Sequence, residues 1–350
     1  MPKTGIGQYQ YSLLNALLKI DKKNEYHPYA FNLRSNQKYH ELNFPVRAHK
    51  IPQRLITAWW LTVRYPRLEQ ITDECDIYQI SEICQQPTHK KTVAFIHDLT
   101  TILYPEYHLF KNKFLYKHRF ANIKKYADVV LTNSEHTKED IVRHLGIPEG
   151  MIEVTPFGVD ERFKPTEGSP IKRPYICYLG TIEPRKNLTN LFKAFKKLKH
   201  NEAIPHKLVL IGKDGWFYEQ IYKEMHELGL QNDVVKLGFV PDEDLPAILS
   251  EAELFVYPSF YEGFGLPVLE AMACGTPVIT SNVSSLPEVG GDAVKYCNPN
   301  SVEDLAAKMF EFIKSPEERE KYSKLGIERA KNFTWEKCAQ KHLEVYERLA

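Results

Sequence analysis

No apolar run in this chain approaches the roughly 18 residues needed to cross a bilayer, and polar Gln8 and Gln10 stand where a signal peptide would need its apolar core. The expected location is therefore the cytoplasm, with contact at most on the inner face of a membrane. Cysteine is sparse: Cys75, Cys84, Cys177, Cys274, Cys297 and Cys338 lie far apart with no C-x-x-C pair, which excludes a disulfide-stapled scaffold and suits reduced thiols. Net charge is almost nil, 46 Lys and Arg against 45 Asp and Glu, which argues against a polyanion-coated nucleic-acid binder. The charge is nevertheless uneven, since residues 1–165 carry 23 basic and 18 acidic side chains and the remainder 23 and 27. The P-loop, H-E-x-x-H and G-x-S-x-G strings are all missing.

What is present is an alternation of short apolar runs and amphipathic helices over 350 residues, enough for about two domains. In the second half, strands are expected at Tyr175–Leu179, Lys207–Ile211, Val234–Leu237, Glu253–Tyr257 and Pro277–Thr280, the first three each followed by a glycine. Helices are expected from about Asn187, at 216–229, at 243–251 behind an Asp242 cap, at 266–274 and at 335–349. In the first half, Thr92–Ile96, Val129–Leu131 and Ile152–Thr155 read as strands, and Gln8–Ile20 as a helix with Leu13, Leu14, Leu17 and Leu18 inward. Pro165, Gly168, Pro170 and Pro174 mark a boundary between the halves.

In parallel sheets of this kind ligands bind beyond the carboxyl ends of the strands. The loop after Leu179, Gly180-Thr-Ile-Glu-Pro-Arg185-Lys186-Asn187, joins a glycine, two cations and a helix start, a combination suited to a diphosphate. An ordinary solvated loop is the competing reading. The loop after Tyr257 places Glu262, Gly263, Phe264 and Gly265 ahead of a helix that Pro267 can begin and that carries Glu270. Two carboxylates around a glycine-rich turn suit a polyhydroxylated ligand, whereas dipole complementation by Glu270 and solvation of Glu262 would need no ligand. His97 and Asp98 follow a buried strand, and Gly5 and Gly7 form a fragment of a glycine-rich anion loop that lacks a third glycine. Asp242-Glu243-Asp244 matches a D-x-D string but sits at a helix start, where capping accounts for it. His108–Lys125 interleaves basic and aromatic residues with no acid, either an amphipathic helix with a wet basic face or a surface drawn to anionic lipid.

Gly180–Asn187, Leu210-Ile-Gly-Lys213, Leu237-Gly-Phe-Val-Pro241, Tyr261–Thr280 and Pro287–Ala293 together resemble the retaining nucleotide-sugar glycosyltransferases of the group 1 family. The resemblance spans nearly the whole chain and is most specific between residues 175 and 295. It implies the α/β GT-B arrangement of two Rossmann-like domains facing each other across a cleft. Residues 1–168 would form the acceptor-side domain, 169–333 the nucleotide-sugar domain, and 334–350 a helix crossing back. It also implies that Glu262 faces the transferred sugar and Glu270 the ribose, and that Gly263, Phe264 and Gly265 present backbone amides. Arg185 and Lys186, in the loop opened by Gly180, would take the diphosphate; His97 would contact the donor sugar; Gly5 and Gly7 would face the diphosphate and acceptor.

The expected reaction moves a hexose, with mannose and hence GDP-mannose favoured, onto a glycan or lipid-linked acceptor without metal or other cofactor. No nucleic-acid partner is expected. Two departures stand out. Thr181 occupies a position where many members carry arginine, and only Met1–Thr4 precede Gly5 where the family pattern has a strand. A binding protein without turnover and an epimerase of the same fold are the rival expectations.

Overall fold

The computed structural model describes residues 5–31, 44–81, 86–108 and 110–350. The first half begins with α1 (Gly5–Ile20), whose Tyr9, Leu13, Ala16 and Leu17 fall on one helical face and are buried. The helix starts earlier than Gln8, and Leu18 is on the opposite side, 39% exposed. There follow β1 (Tyr29–Phe31), β2 (Arg47–His49), α2 (Gln53–Thr62), β3 (Ile77–Ser81), β4 (Lys91–Phe95), α3 (Thr100–Leu103), α4 (Phe110–Tyr126), β5 (Val129–Thr132), α5 (Glu135–Asp140) and β6 (Ile152–Val154). Strands β3 to β6 form a parallel sheet in that order, and β1 pairs with β2. Val93, Ala94, Phe95, Val130 and Leu131 are buried because a central parallel strand is covered on both faces.

The second half contributes β7 (Tyr175–Leu179), α6 (Leu188–Asn201), β8 (Lys207–Ile211), α7 (Tyr218–Glu227), β9 (Val234–Gly238), α8 (Leu245–Ser250), β10 (Leu254–Tyr257), α9 (Leu266–Ala273), β11 (Val278–Ser281), α10 (Leu286–Gly290), β12 (Lys295–Cys297), α11 (Val302–Lys314), α12 (Pro316–Ala330) and α13 (Trp335–Leu349). Its parallel sheet runs β12-β11-β10-β7-β8-β9. Successive crossovers therefore proceed outward in opposite directions from β7 and β10, and the loops leaving these two neighbours diverge to open a crevice. Helix α13 leaves this half, starts from a Thr334 cap, and packs against α1, where Lys19 Nζ meets Glu336 at 2.6 Å.

Several local expectations change. Gly5 and Gly7 lie in the first turn of α1, not in a loop before it, because the buried stripe from Tyr9 onward continues the helix through them. Asp242 does not cap α8, which begins at Leu245 with Pro246 in its first turn; Arg162 Nη1 instead donates to Asp242 at 2.9 Å. The basic segment is not one wet-faced helix from His108, since α4 starts at Phe110 and Arg119 is buried over the Tyr116 ring. Lys117, Lys124 and Lys125 do face solvent, whereas the side chains of Lys111 and Lys113 lie outside the described residues. No described helix is long and apolar enough to cross a membrane.

Candidate active site

The crevice at β7 and β10 brings two sequence-distant loops into one cluster. After β7, Pro184–Lys186 make a single 3-10 turn, and Asn187 adopts φ +59° to launch α6. The Asn187 side chain donates to Pro258 O at 2.9 Å and Pro299 O at 2.8 Å, while Phe260 N–H donates to Arg185 O at 3.0 Å. These bonds fasten the 180–187 loop to the 258–265 loop.

Arg185, Lys186 and Glu262 meet there. Lys186 Nζ lies 2.6 Å from Glu262 Oε1 and donates to Tyr257 Oη at 2.7 Å. Arg185 Nη1 reaches Glu262 Oε2 at 3.0 Å and Tyr261 O at 2.6 Å, and its Nη2 donates to Glu183 at 2.7 Å. Burial alone would raise the Glu262 carboxyl, but Arg185 and Lys186 more than offset it and bring it down to about 2. Burial lowers the Lys186 ammonium and Arg185 beside it adds to this, against the pull of Glu262. The expected diphosphate cations are thus already engaged by the expected sugar-facing carboxylate.

Glu262 is only 7% exposed, and its backbone is fixed as well: its N–H donates to Ser284 Oγ at 3.0 Å, and the Ser285 hydroxyl has both Glu262 O and Phe264 O within reach of its one proton, at 2.8 and 2.9 Å. Gly265 enters α9 at φ +111°, a conformation that costs a side-chain-bearing residue strain. At Gly263 a Cβ would stand 2.1 Å from His97 O, so the two halves touch backbone to backbone. Phe264 packs on Phe157 with ring centroids 5.2 Å apart.

His97 leaves β4 into a wall of Phe95, Tyr9 and Phe157 rings, at 4.6, 5.2 and 5.8 Å. Burial brings its imidazole down to about 4, with Asp98 opposing, so near neutral pH it is an uncharged donor and acceptor. Glu270, on α9, is not joined to the Glu262 cluster by any described bond. Although part of its surface remains accessible, burial pushes its carboxyl up to about 8; Asp160 and Asp242 push it further and Arg162 opposes them. Near neutral pH this group is therefore mostly protonated. A cavity of about 400 Å³ opens beside Gly212, Asp214, Gly238 and Phe239, within the usual range for a small-molecule site.

Sequence reading missed the loop after β5. The same carboxyl-end rule, applied to Val129–Leu131, points to Ser134 and Thr137, whose hydroxyls donate to Gly263 O at 2.8 and 3.2 Å. Tyr9 and His342 carried no such signal, since their 3.0 Å bond joins residues 333 positions apart.

Two family models match the chain: Glycosyltransferase Family 4 over residues 4–163 and Glycosyl transferases group 1 over residues 159–329. The chain is 36% identical over 272 residues to O-antigen chain mannosyltransferase B of Escherichia coli, covering 74% of this chain and 71% of that protein. It is 32% identical to the MMP alpha-(1->4)-mannosyltransferase of Mycolicibacterium hassiacum, over 63% of this chain and 54% of that one. Among solved structures, WaaG, a glycosyltransferase involved in lipopolysaccharide biosynthesis, superposes with a TM-score of 0.77 at 15% identity, covering 99% of this chain and 96% of WaaG. HepE of Anabaena in complex with UDP-glucose gives 0.73 at 19% identity, covering 100% and 97%. The architecture is that of the GT-B glycosyltransferases.

Proposed function

This chain belongs to the group 1 glycosyl transferases, and from that premise we propose that it moves mannose from GDP-mannose to a glycan or lipid-linked acceptor, with retention at the anomeric carbon and without a metal. The observation that carries this reading is the convergence of Arg185 and Lys186 on Glu262 at the topological switch point. Two cations beside the start of α9 can share themselves between Glu262 and an arriving diphosphate, and so stabilise the charge that grows on the leaving group. At the start of α9 only the N–H groups ahead of Pro267 can add donors, because Val268 and Leu269 already donate to Gly265 O. Ionised Glu262 lies on the same loop and can stabilise positive charge developing on the sugar. Neutral His97 can donate a hydrogen bond to a donor hydroxyl, and Glu270 can both donate to and accept from the ribose. The cavity at Gly212 and Phe239 offers room for the base, with Phe239, 51% exposed, available for stacking.

The reading extends to an enzyme of the cytoplasm that rests on an anionic membrane. Leu55, Trp59 and Val63 form an exposed apolar stripe at i, i+4 and i+8, and Arg64, next along the chain, stacks on Tyr126 at the end of α4. Exposed Lys117, Lys124 and Lys125 of α4 therefore belong to the same domain as an apolar stripe able to enter headgroups.

The test is transfer from GDP-, UDP-, ADP- and dTDP-sugars to α-mannosylated acceptors, with and without EDTA, followed by NMR of the new anomeric centre. Preferential consumption of GDP-mannose in EDTA, giving an α-linked product, is expected. An absolute requirement for Mg²⁺ or Mn²⁺, conversion of the donor without acceptor, or a β-linked product would each overturn the corresponding part.

A further inference from the structure

The hydroxyls of Ser134 and Thr137 converge from the first domain on a single backbone atom of the second, Gly263 O, at 2.8 and 3.2 Å, and both residues are buried. Ser134 also caps α5 by accepting from Thr137 N–H at 3.1 Å, which fixes the two hydroxyls relative to each other. Around this point the same short helix makes three more bonds to the opposite domain, through two of that domain's residues. Glu288 of α10 takes the N–H groups of Glu135 and His136 on its two carboxylate oxygens, at 2.8 and 2.7 Å. At the other end of α5, Tyr261 Oη donates to buried Asp140 at 2.6 Å. Residues 261–263 are thus held from α5 at both Tyr261 and Gly263. The approach is by backbone because a Cβ at Gly263 would meet His97 O.

The peptide joining Gly263 to Phe264 converts this contact into chemistry. In a trans peptide the C=O and N–H point in opposite directions, so a carbonyl held against α5 turns the Phe264 N–H away from α5. A carbonyl accepting two hydrogen bonds also polarises its own peptide group and makes that N–H a stronger donor. We propose that Ser134 and Thr137 are positioning residues for sugar transfer: by holding Gly263 O they aim the Phe264 amide at the donor diphosphate, so the donor site is complete only while α5 is docked. This rests on the reading of residues 258–265 as the donor loop. It gives the acceptor-side domain a direct part in activating the donor, through atoms that make no contact with it.

The experiment compares Thr137→Val, which keeps the shape and loses the hydroxyl, with Thr137→Ser, which keeps the hydroxyl. Glu288→Gln weakens the neighbouring clasp without touching Gly263. Steady-state transfer, calorimetric binding of GDP and melting of the ligand-free protein are measured on each. Thr137→Val should lower kcat about tenfold with a smaller change in donor KM and melt at most a few degrees lower, the cost of a lost buried hydrogen bond, and Thr137→Ser should restore both. Glu288→Gln should lower kcat less. A wild type that transfers while Thr137→Val matches it in kcat overturns the positioning role and leaves the donor loop standing. A kcat loss that follows a lower melting temperature and is not restored by Thr137→Ser overturns it too. A wild type that binds no nucleoside diphosphate overturns the donor-loop reading on which the proposal rests.

Discussion

Replacing Glu262 by Gln should weaken the fold, nearly abolish transfer, and yet tighten the binding of GDP. The carboxylate accepts from Lys186 at 2.6 Å and from Arg185 at 3.0 Å, and it is 7% exposed. Breaking a buried ion pair by removing one partner costs about 3–5 kcal/mol. Gln keeps one acceptor oxygen and the shape of the side chain, so a loss of about 2–3 kcal/mol is the reasonable figure, within the range for hydrogen bonds to charged groups. The melting temperature should fall by several degrees.

The same substitution releases Arg185 and Lys186 from their strongest competitor for a diphosphate. GDP should then bind about tenfold more tightly, one such step being about 1.4 kcal/mol, and should restore more melting temperature to the variant than to the wild type. Transfer should nevertheless fall by about 10² or more, since the negative charge proposed to face the sugar is gone. Calorimetric titration with GDP, thermal melts with and without GDP, and initial rates give the three numbers. If GDP affinity falls together with kcat, then Arg185 and Lys186 serve to hold Glu262 in place and are not diphosphate ligands.

The remaining predictions concern three separate parts of the molecule. If Glu270 binds the ribose as proposed, Glu270→Gln should mainly raise the donor KM, because ribose contacts are similar in ground and transition states. Its folded-state value of about 8 lies above the ordinary 4.5, so the stability this group contributes is fully present below about pH 4.5 and is lost as pH rises through 8. The Gln variant should therefore gain on the wild type in thermal melts as pH rises from 4 to 8.5, and a constant difference would show that Glu270 is ionised in the fold. Burial lowers His342 from 6.5 to about 4, with its Cys338 carbonyl bond opposing, so its stabilising contribution is complete above about pH 6.5 and is lost as pH falls through 4. His342→Gln should flatten the acid limb of the melting profile, whereas an unchanged limb would mean that other groups govern it. Replacing Trp59 by Ser and Lys117 by Gln should weaken sedimentation with anionic vesicles, by roughly 1 kcal/mol for the cation; a wild type that ignores vesicles at low salt would refute the membrane reading.

The second domain was legible because its strands are apolar and short and three of the six are closed by glycine, and β7 and β8 begin and end where the periodicity puts them. Both site loops followed from the carboxyl-end rule applied to β7 and β10. Of the three-residue strands only β6 was read, whereas β1, β2 and β12 were too short to show periodicity, and the five-residue β3 was missed as well. Asp242 was misread as a cap because capping is local, whereas its partner Arg162 lies 80 residues away. Arg119 was misread as wet because a cation can be buried when an aromatic face lies against it, here that of Tyr116. Nor could spacing reveal that Lys186 and Glu262, 76 residues apart, bond directly.

The two glutamates show most clearly what the fold adds to the motif. They stand eight positions apart in one loop and helix, are chemically identical, and are read from sequence as a pair. Glu262 has two cations within 3.0 Å and stays ionised far below neutrality. Glu270 has burial and the acids Asp160 and Asp242 against it, and its one favourable cation, Arg162, already donates to Asp242 at 2.9 Å. Environment alone thus separates their charge states, as it does wherever two carboxyl groups of one site take different duties. An ionised Glu262 suits a sugar centre that turns positive during the proposed transfer, and a protonated Glu270 can bind hydroxyl groups without adding negative charge to a site proposed to accept a diphosphate as well.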